Sequence, residues 1–190
     1  MKKLIALVLF LGIAPLAHSE DEGPSGTDAL QAAGAALVEG DLGRAETLYQ
    51  EALQSPTLGK KQQASAHYNL GCIYMSQKTP EKALERFDRA LALFPEFPEA
   101  LYGRGNYRTS QKEYRAAIAD YTRAIELKPA YQQAFNNRGM CWDRLREYEK
   151  AYQDYTKAIA ASGGSYPKAE INRELLSIKR RVSNRHELQL

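Results

Sequence analysis

Residues 64–97 read ASAHYNLGCIYMSQKTPEKALERFDRALALFPEF, and the residues that matter in this stretch return on a fixed beat. Gly71 is followed by Gly105 and Gly139, each 34 positions after the last. Ala83, Ala117 and Ala151 keep the interval, as do Phe87, Tyr121 and Tyr155, then Ala90, Ala124 and Ala158. Pro95 and Pro129 continue it, with Gly163 in the third place. A period of this length marks stacked helical hairpins, each burying its apolar face against its neighbours. A glycine inside a helix costs about 1 kcal/mol relative to alanine. That cost makes sense where a second helix crosses and a Cβ would clash, with Ala83, Ala117 and Ala151 as its small counterparts. Pro95 and Pro129 end the second helix by disfavouring helical geometry in the residue before them. Gly163-Gly164 does so in the last unit.

Leu70, Gly71, Tyr74, Ala83, Phe87, Ala90 and Pro95 match the signature of the tetratricopeptide repeat, which the stretch resembles; His67 stands where that family prefers Trp. The resemblance implies an all-α, right-handed α-solenoid of about four helical hairpins plus a capping helix. A degenerate first repeat occupies 26–63, with Gly40-Asp41 as its turn. Complete repeats follow over 64–97, 98–131 and 132–165, then a C-terminal capping helix and tail over 166–190. Between Ala45 and Ala83 the interval is 38, and the four extra residues are expected in the connection Ser55–Lys61. In the terminal segment Ile171, Leu175, Ile178 and Val182 form one stripe at helical spacing, read as the face buried against the array.

Ahead of the repeats, Lys2 and Lys3 precede an apolar run to about Leu16, and Ala17-His18-Ser19 has small residues at both cleavage positions. This reads as a signal peptide over 1–19, cut after Ser19, and too short for the ~20 residues of a spanning helix. A flexible linker is expected over 20–27, and a periplasmic or secreted product. Without Lys2 and Lys3 the 26 basic residues fall to 24 against 23 acidic ones. A nearly neutral chain is a poor nucleic-acid binder, which must neutralise phosphates.

No HExxH, GxSxG or phosphate-binding loop occurs, and the three histidines fall on separate elements. The chain reads as a non-enzyme with no cofactor and no metal. Cys72 and Cys141 fall two repeats apart, roughly 20 Å at helix-packing distances, too far for a disulfide. Both read as buried small apolar residues. In repeats three and four, Arg104 and Arg138 stand where repeat two has Leu70, and Asp120 and Asp154 where it has Arg86. Apolar positions that change together to opposite charges predict partly buried ion pairs.

The resemblance also implies protein interaction through a concave groove lined by the first helices. Transferred position by position, that groove takes Tyr68, Asn69 and Met75 from repeat two, with Cys72 between them. It takes Glu99, Tyr102, Gly103 and Asn106 from repeat three, and Gln133, Asn136, Asn137, Met140 and Arg144 from repeat four. An asparagine amide both donates and accepts, so it can hold an extended peptide backbone of any sequence. The Lys and Arg clamp by which some relatives capture a C-terminal carboxylate is missing. The expected role is therefore a monomeric scaffold or adaptor in the bacterial envelope that binds a peptide or helix of a partner protein. A structural subunit of a larger envelope assembly is the second reading. The polar side of the terminal helix (Lys179, Arg180, Arg181, Arg185) reads first as a solvated face, and only secondarily as a contact for anionic lipid.

Overall fold

A computed structural model describes residues 25–187, with side chains as far as residue 181, so the leader over 1–19 lies outside the described residues. The described chain is entirely helical. Four hairpins pair α1 (Gly26–Glu39) with α2 (Leu42–Gln54), α3 (Lys60–Ser76) with α4 (Pro80–Leu93), α5 (Pro98–Ser110) with α6 (Tyr114–Leu127), and α7 (Gln132–Arg144) with α8 (Tyr148–Ala161). A single helix, α9 (Pro167–Glu187), closes the array. The first helices stand side by side, α3 on α5, α5 on α7 and α7 on α9.

Two expectations about connections change. Ser25 caps α1: its hydroxyl accepts from the Asp28 amide while the Asp28 carboxylate accepts from the Ser25 amide. The helix thus begins at Gly26, inside the segment read as linker. The four extra residues near position 60 are not loop either. They form an additional first turn of α3, which has 17 residues where α5 and α7 have 13. The Gln62 side chain accepts from the Gly59 amide at 3.0 Å and holds that turn in place.

Each first helix ends on a left-handed residue: Gly40, then Lys78, Lys112 and Arg146 at φ 59°, 63° and 63°. A side chain in that conformation costs about 1–2 kcal/mol. A cation beside the negative end of a helix dipole offsets part of it.

The repeating contact is an aromatic ring laid on bare backbone. A Cβ on Gly71 would meet the Phe87 ring at 2.6 Å, one on Gly105 the Tyr121 ring at 2.6 Å, and one on Gly139 the Tyr155 ring at 2.8 Å. The glycines are therefore required first by the rings, and at Gly139 the Ala151 carbonyl of the crossing helix also stands 3.3 Å from where a Cβ would lie. Those alanines are fully buried and let the two backbones approach.

Arg104 on α5 donates from Nε and Nη2 to both oxygens of Asp120 on α6, at 3.1 and 2.7 Å. Its Nη1 donates to Asp88 on α4 of the preceding hairpin at 2.8 Å. Arg138 repeats the arrangement, with Asp154 at 2.7 and 2.8 Å and Thr122 of the preceding hairpin at 2.9 Å. Arg108 adds a further bond to Asp120 at 2.7 Å. Each arginine therefore ties its own hairpin shut and fastens it to the one before.

The last helix repeats the first helix of a unit, displaced by one residue. Counting 35 positions on, Ala134, Asn137, Arg138 and Cys141 correspond to Ala169, Asn172, Arg173 and Leu176. Ala169 and Leu176 are the buried pair, and α9 lies on α8 and α7 as α7 lies on α6 and α5. Where a second helix would lie, Glu170, Arg173, Glu174 and Ser177 face an open cavity of about 670 Å³. That polar face can meet water, as the end of a solenoid must. The stripe expected to be buried instead faces outward. Ile171, Leu175 and Ile178 are 58%, 51% and 50% exposed, and the Val182 side chain lies outside the described residues. A helix offers two stripes at such spacings, and contacts from α7 and α8 decide which one is covered.

Asp120 is buried and holds two guanidinium groups, whereas the Asp88 side chain is 52% exposed. Removing one partner of a buried pair costs about 3–5 kcal/mol, and an exposed one under about 1 kcal/mol. Thermal unfolding should therefore show Asp120→Ala melting well below Asp88→Ala. Equal melting temperatures would remove the ion pair from its structural role.

Candidate functional site

The residues transferred to the groove fall into three groups. Tyr68, Tyr102, Asn106 and Asn137 form its half-buried floor. Tyr68 leans on Phe97 and Phe87, with ring centroids 5.3 and 6.2 Å apart. Tyr102 leans on Tyr131 and Tyr121 at 5.0 and 5.9 Å. The Asn137 amide donates to Tyr102 Oη at 3.1 Å and to Asn106 Oδ1 at 2.8 Å. Asn106 Oδ1 also accepts from the Tyr121 hydroxyl at 2.8 Å. Burial pushes the Tyr121 hydroxyl well above its usual pKa, so it stays protonated and keeps donating. Both lone pairs of Asn106 Oδ1 are used, which fixes the orientation of its amide. No bond from Nδ2 to the protein occurs among the described residues.

A second group is committed elsewhere. Asn69 donates to Tyr49 Oη at 3.0 Å, and Glu99 accepts from Lys128 at 2.9 Å. Asn136, expected in the groove, is buried. It donates to Asn137 Oδ1 at 3.1 Å and accepts from Asn172 of α9 at 3.0 Å, so it fastens the last helix. Gly103 is buried as well. The third group lines the rim: Gln133, Met140 and Arg144 are exposed and Met75 is half-buried.

Gly103 accounts for the shape of the floor. Asn69, Gly103 and Asn137 share one repeat position, and each covers the ring of the hairpin before it. Where that ring is Tyr49 or Tyr121, the cover is asparagine, and an amide meets the hydroxyl or its partners. Where it is Phe87, the cover is glycine, whose missing Cβ would lie 2.6 Å from the ring. The absent side chain opens a cavity of about 380 Å³ between α3 and α5, with Phe87 at its base and Tyr68, Cys72, Met75 and Tyr102 around it. The sequence shows this as a lone Gly between two Asn at a 34-residue interval. Among the described residues, no group of three His, Cys, Asp or Glu is placed to hold a metal. No helix there is long and apolar enough to cross a membrane.

A tetratricopeptide repeat family model matches residues 30–96, 68–129 and 100–166. The chain belongs to the tetratricopeptide repeat family. No curated protein sequence matches it. Among solved structures, it is similar to MamA at 24% identity, with 84% of this chain and 85% of that chain covered and a TM-score of 0.70. YrrB, described as a TPR protein with an unusual peptide-binding site, is 21% identical over 78% and 74% of the two chains, with a TM-score of 0.66. The first TPR of Spaghetti, solved with the HSP90 peptide SRMEEVD, is 21% identical over 64% and 95%, with a TM-score of 0.61. At these identities the likeness shows the fold.

The thiols of this tetratricopeptide repeat protein divide unevenly. Cys141 is buried and meets Thr109 Oγ1 at 3.3 Å, whereas Cys72 is exposed at the cavity rim. Cys72 is thus not the buried apolar residue that the sequence suggests. The concave walls still desolvate its thiol and raise its pKa, against the smaller lowering effect of the Tyr68 hydroxyl. A raised pKa leaves less thiolate at neutral pH than an ordinary cysteine has. Maleimide should therefore label Cys72 alone in the folded chain, more slowly than free cysteine at pH 7, with the rate still climbing at alkaline pH. Labelling of Cys141, checked by peptide mass, would contradict this placement.

Proposed function

We propose that the protein is a non-catalytic adaptor that holds an extended segment of a partner protein in its concave groove. The observation that carries this reading is the fixed Asn106 amide. Its oxygen is saturated from within and its Nδ2 is turned toward the groove, beside an apolar cavity. An extended backbone offers carbonyls to such a donor, whereas a helix has already bonded its own. Neighbours of the same fold include one described as having a peptide-binding site and one solved with a peptide, in keeping with a peptide partner for this chain. The nearly uncharged groove suits a neutral segment.

Asn106→Asp tests the donor with little disturbance. The new carboxylate keeps an acceptor for Tyr121 and Asn137, loses the N–H₂ and adds a negative charge that repels a peptide carbonyl at the same place. The variant should melt within a few degrees of wild type, yet retain its partner about tenfold less in a crosslinking pull-down, the size of one hydrogen bond to a peptide. Equal retention would sink the groove reading.

We further infer export to the bacterial envelope, supported by the Lys-led apolar run and the Ala17-His18-Ser19 site. The intact mass of the chain recovered from its source cell should begin at Glu20. A mass that includes Met1 would overturn this.

A further inference from the structure

The one large apolar stripe left uncovered in the described array lies on α9, and its repeat positions define which way it faces. Counting back 35 residues, Ile171, Leu175 and Ile178 correspond to Asn136, Met140 and Asp143. These correspond in turn to Tyr102, Asn106 and Thr109 on α5; on α7 the arrival of α9 covers Asn136 and engages Asp143, and Met140 stays exposed. The contacts of α9 agree. Asn172 and Lys179 meet Asn136 and Asp143 of α7, and Arg173 and Arg180 meet Tyr152 and Glu149 of α8. The stripe lies on the side of α9 away from α8. The concave side therefore runs on past α7 onto α9 and becomes apolar there, with Met140 exposed at the position on α7 that corresponds to Leu175.

We propose that this stripe is a second anchor site for the partner segment, complementary to the cavity over Phe87. The occupant is an uncharged extended peptide with two apolar residues, one seated between Tyr68 and Tyr102 and one on Met140, Ile171 and Leu175. The inference rests on the groove reading above and adds the ligand's pattern. The two apolar sites lie two hairpins apart, roughly 20 Å at helix-packing distances of about 10 Å. An extended chain advances about 3.3–3.6 Å per residue, so the anchors fall about six residues apart. Between them the floor presents Asn106 and Asn137, whose amides suit a polar linking backbone. Along the floor Asp143 is engaged by Lys179 and Glu99 by Lys128, while Arg144 stands exposed at the rim, so the floor between the anchors is neutral and suits a neutral segment. A helical occupant would leave the Asn106 donor unanswered.

A phage-displayed library of random 12-residue peptides, selected on the full chain, tests both levels. Wild type should enrich peptides with two apolar residues about six positions apart and uncharged residues between. The chain with Ile171→Ser and Leu175→Ser, changed at exposed positions and melting as wild type does, should enrich peptides that keep one apolar position and lose the other. A two-anchor peptide should bind that variant roughly 10- to 100-fold more weakly, as expected for one uncovered apolar side chain. If wild type and the variant enrich the same single-anchor peptides, still lost on Asn106→Asp, the second anchor is refuted and the groove stands. If enrichment survives Asn106→Asp as well, the groove reading falls with it. If wild type sediments as a dimer that the double substitution dissolves, the stripe is covered by a second copy and the proposal is overturned.

Discussion

The architecture rests on a ring pressed against a backbone that has no side chain. Phe87, Tyr121 and Tyr155 each occupy the space a Cβ would need on the facing helix, at 2.6–2.8 Å from where that atom would sit. A methyl group cannot be accommodated there without moving the ring, and the ring is buried among alanines that leave it nowhere to go. The helical penalty of glycine, about 1 kcal/mol each, is small beside the burial of a large aromatic side chain. Hairpin geometry, hairpin spacing and the positions of the first helices all follow from that close approach.

The chemical identity of the ring then decides the character of the groove above it. A tyrosine brings a hydroxyl to the inner surface, and a buried hydroxyl needs a partner. Asn69 serves Tyr49, and Asn106 with its neighbour Asn137 serves Tyr121. Phe87 has no such need and is covered by Gly103, which leaves the cavity. Polar floor and apolar recess are thus alternative ways of covering one repeating position.

Much of this was legible in the sequence. The 34-residue beat carries the hairpins, and the paired change to Arg104 with Asp120 and Arg138 with Asp154 marks a contact between two helices. Less legible were features that depend on which neighbour arrives. Asn136 looks like a groove residue by position, but α9 covers it, and nothing local distinguishes it from Asn106. The stripe Ile171–Leu175–Ile178 has a helical period like any core stripe, while the face that α9 buries is carried by Ala169, a residue with little hydrophobic signal, and Leu176. Cys72 and Cys141 differ by one repeat position, enough to turn one thiol into the groove and the other into the core. The cavity was written in the sequence only as a missing asparagine.

The links between hairpins are not equal. Arg104 joins the second hairpin to the third and Arg138 the third to the fourth, each through a half-buried guanidinium that a buried aspartate of its own hairpin holds in place. Between the first and second no arginine spans the joint: Tyr74 donates to Glu46 at 3.0 Å and accepts from Gln50 at 3.2 Å, Gln77 donates to Glu46 at 3.0 Å and Asn69 to Tyr49 at 3.0 Å. In a solenoid each unit is held only by its neighbours, so opening begins where coupling is weakest. The N-terminal hairpin should therefore fray first and exchange its amide hydrogens ahead of α5 to α8. The groove floor at Asn106 and Asn137 lies in the part that stays shut.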